Sequence, residues 1–480
     1  MKKLFIFLFA GFLLLAAAVL FNTFRMESKQ LQVNALAAPE IAPQALRHFQ
    51  QALGYKTISN SDPSLFDSAQ FRSFRKFLET AYPNFHTKLM REIVADYSLL
   101  YKWEGKNPHL KPVILMAHQD VVPIEEATKS MWTVDPFAGE VKEGFIWGRG
   151  TADDKINLIS MVEAAEKLLS ENFQPERTIY FSFGHDEEIG GKGAIAAATL
   201  LKSRNIEAEF VLDEGGIITL TKMPGITKPL ALLGTSEKGY LSLELTVEEV
   251  GGHSSMPAEE TSIDILSKAL VNLRSRPFPS DLTGSTLEGT QYLGPEMPFV
   301  QKMAFANQWL FKGIIISKYE KSPQSAAMVR TTMVPTIIVA GVKDNVVPTV
   351  AKATVNFRLL PGDLSAVVIE EVKRKIGDER VKVENRMGFI SEATPVTSAE
   401  SEGYKIVDES IKRSYPQTMT APFLMIGATD SRFFREISPN IIKFSPMIDP
   451  IGFHGIDERV SLESYKTALW FYEQLIRSIK

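Results

Sequence analysis

The sequence predicts an α/β fold: a mainly parallel sheet that carries the chemistry, a smaller α+β domain inserted into it, and a hydrophobic helix ahead of both. Three observations predict this. Short apolar runs alternate with helical periodicity through residues 41–237 and again after residue 389, the pattern of strands and covering helices in an α/β layer fold. Between residues 238 and 388 the pattern becomes strand, helix, strand, strand, helix, strand, with alternating strands that have one wet face. An uncharged apolar run occupies the N-terminus.

Lys2 and Lys3 precede that run, which extends from Leu4 to Phe21. As a helix it spans about 27 Å, close to the hydrocarbon thickness of a bilayer. It reads as a signal peptide or a signal anchor. The nearest small-x-small triplet, Ala35-Leu36-Ala37, lies well beyond its end, which favours a retained anchor over cleavage and secretion. The leading lysines place the N-terminus inside and the rest outside the cytoplasm. Residues 1–25 are assigned to this segment. Residues 26–40, polar and then rich in Ala and Pro, are assigned to a linker.

The first part of the sheet domain covers 41–237. Val113 to Met116 is a strand signal, Asn157 to Leu169 a helix with Leu158, Ile159, Val162, Ala165 and Leu168 at helical spacing, and Thr178 to Phe183 and Phe210 to Leu212 are strands. The insert covers 238–388. Leu241 to Val250, Thr336 to Val342, Ala353 to Leu359 and Val381 to Arg386 read as strands, and Ile263 to Leu273 and Leu364 to Ile376 as helices. A long segment rich in aromatics and Pro, Pro277 to Met328, interrupts it; connections of that length are functional or carry their own helices. Such a segment could wall an apolar pocket or pack a dimer. The second part of the sheet domain, 389–480, ends in a helix from Leu462 to Ile479 with Ser461 as its N-cap.

Composition excludes several chemistries. The formal net charge is −4 with both signs mixed along 480 residues, which leaves no basic nucleic-acid footprint. There is no cysteine, hence no disulfide, thiolate metal site or cysteine nucleophile. No G-x-S-x-G, G-x-G-x-x-G or Walker loop follows a strand. A transition-metal site must be built from His and carboxylates.

Those residues follow apolar strands. Val113-Ile-Leu-Met-Ala leads to His118-Gln119-Asp120, Tyr180-Phe-Ser-Phe-Gly to His185-Asp186-Glu187-Glu188, and Phe210-Val-Leu to Asp213-Glu214-Gly215-Gly216. Open α/β sheets bind ligands outside the carboxyl ends of their strands, so three strand ends bring these groups to one rim. The loop Trp147-Gly-Arg-Gly-Thr-Ala-Asp153-Asp154 adds a carboxylate, and Gly452-Phe-His454-Gly455 a second imidazole.

With MAHQDVVP, WGRGTADDK, GHDEEIGG, VLDEGG, GGHSSMP, NVVPTVAKATVNFRLLPG, GATDSRFF and FHGIDER in this order between residues 116 and 459, the chain resembles the dizinc aminoacylase/carboxypeptidase family. The likeness is strongest to the carboxypeptidase S and N-fatty-acyl-amino-acid synthase/hydrolase branch. The resemblance implies that Asp153 bridges two Zn²⁺ ions, with His118 and Asp213 at one and Glu188 and His454 at the other. Mn²⁺ or Co²⁺ would suit the same donors. Two ions about 3.5–4 Å apart can clamp both the attacking and the carbonyl oxygen. It further implies Asp120 behind the His118 ring, Glu187 as general base, and His253 as an oxyanion donor reaching the site of a partner subunit, hence a homodimer. Asn345 and Arg358 of the insert are assigned to substrate binding, Arg358 as a bidentate partner for a carboxylate. Gly427, Thr429, Asp430 and Ser431 match the family's carboxylate-binding turn. His185 and Asp186 are taken as structural neighbours, and His48, His86 and His109 as surface or core residues.

The function so implied is hydrolysis of the amide bond in N-acyl amino acids or at a peptide C-terminus, with reverse synthesis open. The substrate is a small molecule or short peptide with a free carboxylate. The alternative is a catalytically inactive, membrane-tethered binding protein on the same fold. The complete set of ligands and base favours the enzyme.

Overall fold

The structure, a computed structural model, describes residues 1–34, 36–220 and 225–480; Ala35 of the small-x-small triplet lies outside the described residues. Helix α1 (Lys2–Arg25) is continuous, with a mean hydropathy of 2.9 over its apolar window, and is long and apolar enough to cross a membrane. In chain order there follow α2 (Pro43–Leu53), β1 (Met90–Val94), β2 (Ser98–Trp103), β3 (Val113–His118), α3 (Lys155–Ser170), β4 (Ile179–Gly184), α4 (Lys192–Ser203), β5 (Phe210–Thr219) and β6 (Leu230–Glu237). The insert contributes β7 (Gly239–Glu248), α5 (Ser262–Ser275), α6 (Gly284–Leu293), α7 (Phe299–Ala306), α8 (Gln308–Tyr319), β8 (Thr332–Ala340), β9 (Val350–Leu359), α9 (Ser365–Ile376) and β10 (Val381–Ser391). The chain ends with α10 (Glu402–Ser414), β11 (Met419–Met425), β12 (Ile441–Ile448) and α11 (Leu462–Ser478).

The large sheet has eight strands in the order β1-β2-β4-β3-β5-β12-β6-β11. Its centre is parallel, as expected: β3 runs parallel to both β4 and β5, and β5 parallel to β12. β3 and β4 are buried at every residue, which is why they read as unbroken apolar runs rather than as alternations. Period two still sorts their side chains. Val113 and Leu115 join the core shared with α3 and α11, while Ile114 and Met116 join the core under α4. Helix α3 lies between the sheet and α11 and is buried nearly all round. At the start of α11 the Ser461 hydroxyl accepts from the Ser464 N–H at 3.0 Å, the predicted N-cap.

The insert carries its own antiparallel sheet, β8-β9-β7-β10. α5 and α9 cover it and close a separate core around Leu243, Leu245, Ile265, Val355 and Val372. A short ribbon, Gly252–His253 paired with Val346–Val347, projects from this sheet. The aromatic-rich segment folds into α6, α7 and α8, and not all of it stays with the insert. α6 lies along β11, the edge of the large sheet, and its Tyr292 and Leu293 enter the main core. Tyr292 and Phe278 are buried, and none of Phe278, Tyr292, Phe299, Phe305, Trp309 and Phe311 lines the cleft described next.

Candidate metal centre

The strand ends β3, β4 and β5, the turn before α3 and the loop before α11 converge as the chain order predicts. At their meeting point the two oxygens of Asp153 face different histidines: Oδ1 lies 2.9 Å from His118 Nε2, and Oδ2 lies 2.6 Å from His454 Nε2. Glu214 stands 3.5 Å from the same His118 nitrogen, and Glu188 stands 3.3 Å from the same His454 nitrogen. Two groups, His118–Asp153–Glu214 and Asp153–Glu188–His454, each bring their donor atoms within 4.8 Å of one another. They share Asp153.

Two adjacent acids follow the apolar run of β5. Asp213 is the one expected beside His118. Its carboxylate accepts the Ser431 N–H at 2.8 Å, and the side chain that faces His118 is Glu214. The cause is a bulge in β5. Asp213 stays in register opposite Lys443 of β12, but the next paired residues are Gly216 and Phe444, so Glu214 and Gly215 are left out of the ladder. Gly215 has a φ of 145°, and a β-carbon there would meet Lys443 at 2.9 Å. Bulges of this kind re-aim a side chain beside a site. Gly-Gly after Asp-Glu is the only sequence signal for it.

Asp120 is fully buried. Its carboxylate lies 3.3 Å from His118 Nδ1, whose ring also approaches the Asp120 carbonyl at 2.9 Å. It accepts the N–H groups of Glu187 and Glu188 at 3.2 Å each. One residue thus fixes both the imidazole and the turn that carries the two glutamates. That turn is a single 3₁₀ turn, Glu187–Ile189, followed by Gly190 and Gly191 with φ of 122° and 70°. The sharp reversal lets adjacent acids diverge, Glu188 towards His454 and Glu187 into the cleft.

The cleft has a volume of about 470 Å³; Asp153, Glu187, Glu188, Glu214, Arg358, Gly427, Thr429, Arg432 and His454 line it together with apolar Met425, Met447 and Phe453. Arg358, from the insert, stacks over Tyr240 at 5.0 Å. The expected carboxylate-binding turn splits. Gly427 and Thr429 face the cleft, whereas Asp430 and Ser431 begin a 3₁₀ turn and point inward. Asp430 presses against Gly184 and Gly191, where β-carbons would meet its oxygens at 2.8 and 2.0 Å. His253 and Asn345 lie side by side on the projecting ribbon, where Ser254 N–H donates to the Asn345 carbonyl at 3.2 Å. Both are exposed and neither lines this cleft. His185 bonds Ser98 at 2.7 Å and Asp186 caps α4 through the Lys192 and Gly193 N–H groups, so both are structural.

Three supporting groups carried no clear sequence signal. Asp154 is buried and accepts the His118 N–H at 3.2 Å. Glu458 is buried and accepts N–H groups from Gly150, Ala152 and Asp153 at 3.1, 2.8 and 3.3 Å. Arg149 pairs with Glu458 and donates to the carbonyls of His454 and Gly455 at 3.4 and 3.1 Å. The Arg149–Glu458 pair therefore couples the loop of Asp153 to the loop of His454.

The electrostatics fit divalent cations. Burial works against charge on Asp153, but His118 and His454 hold it below the usual carboxylate range. Burial pushes Glu187 well above that range, helped by the nearby charges of Glu214 and Asp430. Burial and Asp153 do the same to Glu214. Burial would lower His118, yet Glu214, Asp120 and Asp153 outweigh it and hold the imidazole well above its ordinary value. Hydrogen bonds to Asp153 and Glu188 raise His454 to about 10. Protons are thus drawn to a cleft crowded with carboxylates, and metal cations would relieve the same crowding. Imidazole and carboxylate donors without sulfur suit Zn²⁺, Mn²⁺ or Co²⁺.

Such a site on such a sheet defines a metal-dependent hydrolase. Residues 114–478 match the model of peptidase family M20/M25/M40. The chain is 39% identical over 473 residues to probable carboxypeptidase S-like 2 of Dictyostelium discoideum, covering 95% of this chain and 90% of that one. It is 39% identical over 415 residues to the human N-fatty-acyl-amino acid synthase/hydrolase PM20D1, covering 84% and 82%. It is 30% identical over 471 residues to carboxypeptidase S of Saccharomyces cerevisiae, covering 86% and 79%. Among solved structures, an M20 family metallo-carboxypeptidase from Sulfolobus solfataricus superposes with a TM-score of 0.66 at 18% identity, over 92% of this chain and 99% of that one. The chain belongs to peptidase family M20, and the resemblance to the carboxypeptidase S and N-fatty-acyl-amino-acid branch holds.

Proposed function

We propose that the protein hydrolyses the amide bond of N-acyl amino acids, with the C-terminal peptide bond of short peptides as a related substrate. The observation that carries this is the pair of donor groups sharing Asp153, with Glu187 in the same cleft. His118, Asp153 and Glu214 would hold one divalent ion and Asp153, Glu188 and His454 the other, with Zn²⁺ the first choice. When bound, the two ions polarise the scissile carbonyl and make water acidic enough to attack at neutral pH. Glu187 takes the proton released by that water and delivers it to the leaving nitrogen as the C–N bond breaks. Asp120 accepts from His118 Nδ1, which leaves Nε2 free to serve as a donor atom. Arg358, with Thr429 and Gly427, receives the free carboxylate of the substrate.

His253 and Asn345 are assigned to the cleft of a second copy, as oxyanion and substrate contacts. Their exposure on a projecting ribbon supports this reading. An apolar acyl group is supported by the named activity of the human relative and by Met425, Met447 and Phe453 in the cleft wall. With α1 retained as an anchor, the enzyme acts at a membrane, outside the cytoplasm. The test compares kcat/KM for N-oleoyl and N-acetyl amino acids and dipeptides on the Zn²⁺-loaded enzyme. N-oleoyl substrates are expected to turn over fastest; faster dipeptide cleavage would sink the acyl assignment, and no cleavage of any of them would sink amide hydrolysis.

A further inference from the structure

Helix α1 is bare along most of its length, but one face of its last third is covered. Val19 and Thr23 are buried, and the face they occupy packs on α7 and on Asn307. Asn307, at the joint of α7 and α8, is fully buried. Its amide donates to the Val19 carbonyl at 3.0 Å, and the Asn22 amide donates to the Asn307 side chain at 2.9 Å. One turn further, Phe24 meets Phe299 with ring centroids 6.0 Å apart.

The outer side of α7 and α8 is apolar too. Phe299, Val300, Trp309, Leu310 and Ile314 are exposed. On α8 the stripe 309, 310, 313, 314 turns to solvent while Ile315 on the inner side closes a small core with Leu282 and Val329. A helix apolar on both sides is ordinarily buried on both. The segment is basic: between residues 297 and 321 Lys302, Lys312, Lys318 and Lys321 stand against a single acid, Glu320, and Lys312 pairs with Asp281. A groove of about 550 Å³ where α1 meets the joint of α7 and α8 is lined by Arg25 and Trp309, a cation and an aromatic of the kind found at membrane interfaces.

We propose that α7 and α8 form a platform that lies in the bilayer interface beside α1, with the outer stripe dipping into lipid. The occupant is lipid because the patch continues the surface of α1. A helix of 24 residues is about 36 Å long and a hydrocarbon core about 30 Å thick, so Phe24, next to the polar end of α1, sits at the headgroup boundary. Phe299 packs on it, which puts the platform at the same level. The lysine-rich segment complements anionic headgroups. The catalytic body is then seated on the membrane in a fixed orientation rather than hung from a free linker. This rests on α1 being retained as a membrane anchor.

The absence of cysteine makes the test direct. Single variants Leu310→Cys and Ile314→Cys, and Val271→Cys on the exposed side of α5 as control, are labelled with a polarity-sensitive fluorophore in the full chain. The labelled chains are reconstituted into vesicles of phosphatidylcholine and phosphatidylglycerol. The labels at 310 and 314 should be quenched several-fold more by lipids brominated at shallow acyl positions than the label at 271, and be shielded from aqueous iodide. Equal iodide quenching at 314 and 271 overturns the proposal. So does shielding from iodide without quenching by bromolipid, which would mean that a second copy of the chain covers the face. The intact mass of the vesicle-bound protein separates the two ideas: loss of α1 defeats the anchor reading, whereas the platform is judged only on chains that keep it.

Discussion

At Asp153 two oxygens 2.9 and 2.6 Å from two different imidazoles define what each neighbour must do. Removing a proton carrier and removing a ligand then have different signatures. Glu187→Gln should keep both metals and lower kcat by about 10²–10⁴-fold, the usual worth of a general base. Glu214→Gln should lose metal from the His118 side, while Asp213→Asn, one residue away but aimed at Ser431, should retain it. Elemental analysis of the three variants checks this; metal loss from Asp213→Asn with retention in Glu214→Gln would reverse the assignment. The protonation of His454 gives a second check. With its imidazole held at about 10 in the metal-free chain, it carries a proton at neutral pH, and only the neutral ring binds metal. Loading Zn²⁺ must therefore release protons, and apparent affinity should rise as pH rises from about 6 to 8. A weakly buffered solution that does not acidify on Zn²⁺ addition would contradict it.

At the scale of elements, loops held by buried charge matter as much as the strands. Glu458 accepts three backbone N–H groups around Asp153 and pairs with Arg149, which in turn holds the His454 loop. Burial raises the Glu458 carboxyl, against the pull of Arg149. Glu458→Ala leaves Arg149 buried without its partner and should cost about 3–5 kcal/mol in urea unfolding of the metal-free chain. It should also weaken both metals together, since both loops loosen. Loss of one metal alone would mean that the pair does not couple the loops. The helix and strand positions behind these loops were readable: 3.6-residue and two-residue periodicities, with a Ser N-cap at residue 461, follow from local burial. The bulge at Glu214–Gly215 was not, because period two carries no mark of the residue at which a ladder slips. Nor was the course of the aromatic-rich segment, whose apolar residues are alike whether they wall a pocket or lie on a sheet edge.

At the scale of the whole molecule the insert carries two of the expected site residues away from the cleft. His253 and Asn345 sit on an exposed ribbon away from Asp153. If they serve a second copy, His253→Ala and Glu187→Gln chains, each nearly inactive alone, should regain activity when co-expressed. The mixed dimer holds one cleft with both an intact Glu187 and an intact His253. Activity no higher than the two parents in a purified mixed dimer would show that His253 acts within its own chain or not at all.

The sequence by itself determined the α/β class, the N-terminal helix, the convergence of His118, Asp153, Glu188 and His454, and the family. These follow from periodicity and from motifs whose chain order is local information. Only the tertiary structure decided that Glu214 stands 3.5 Å from His118 while Asp213 meets Ser431, that Asp430 turns inward, that Glu458 and Arg149 tie two distant loops, and that α1 packs on α7 and Asn307. Each of these depends on partners 218 to 305 residues away in the chain, and a side chain's direction there is set by what it packs against rather than by its own neighbours in sequence.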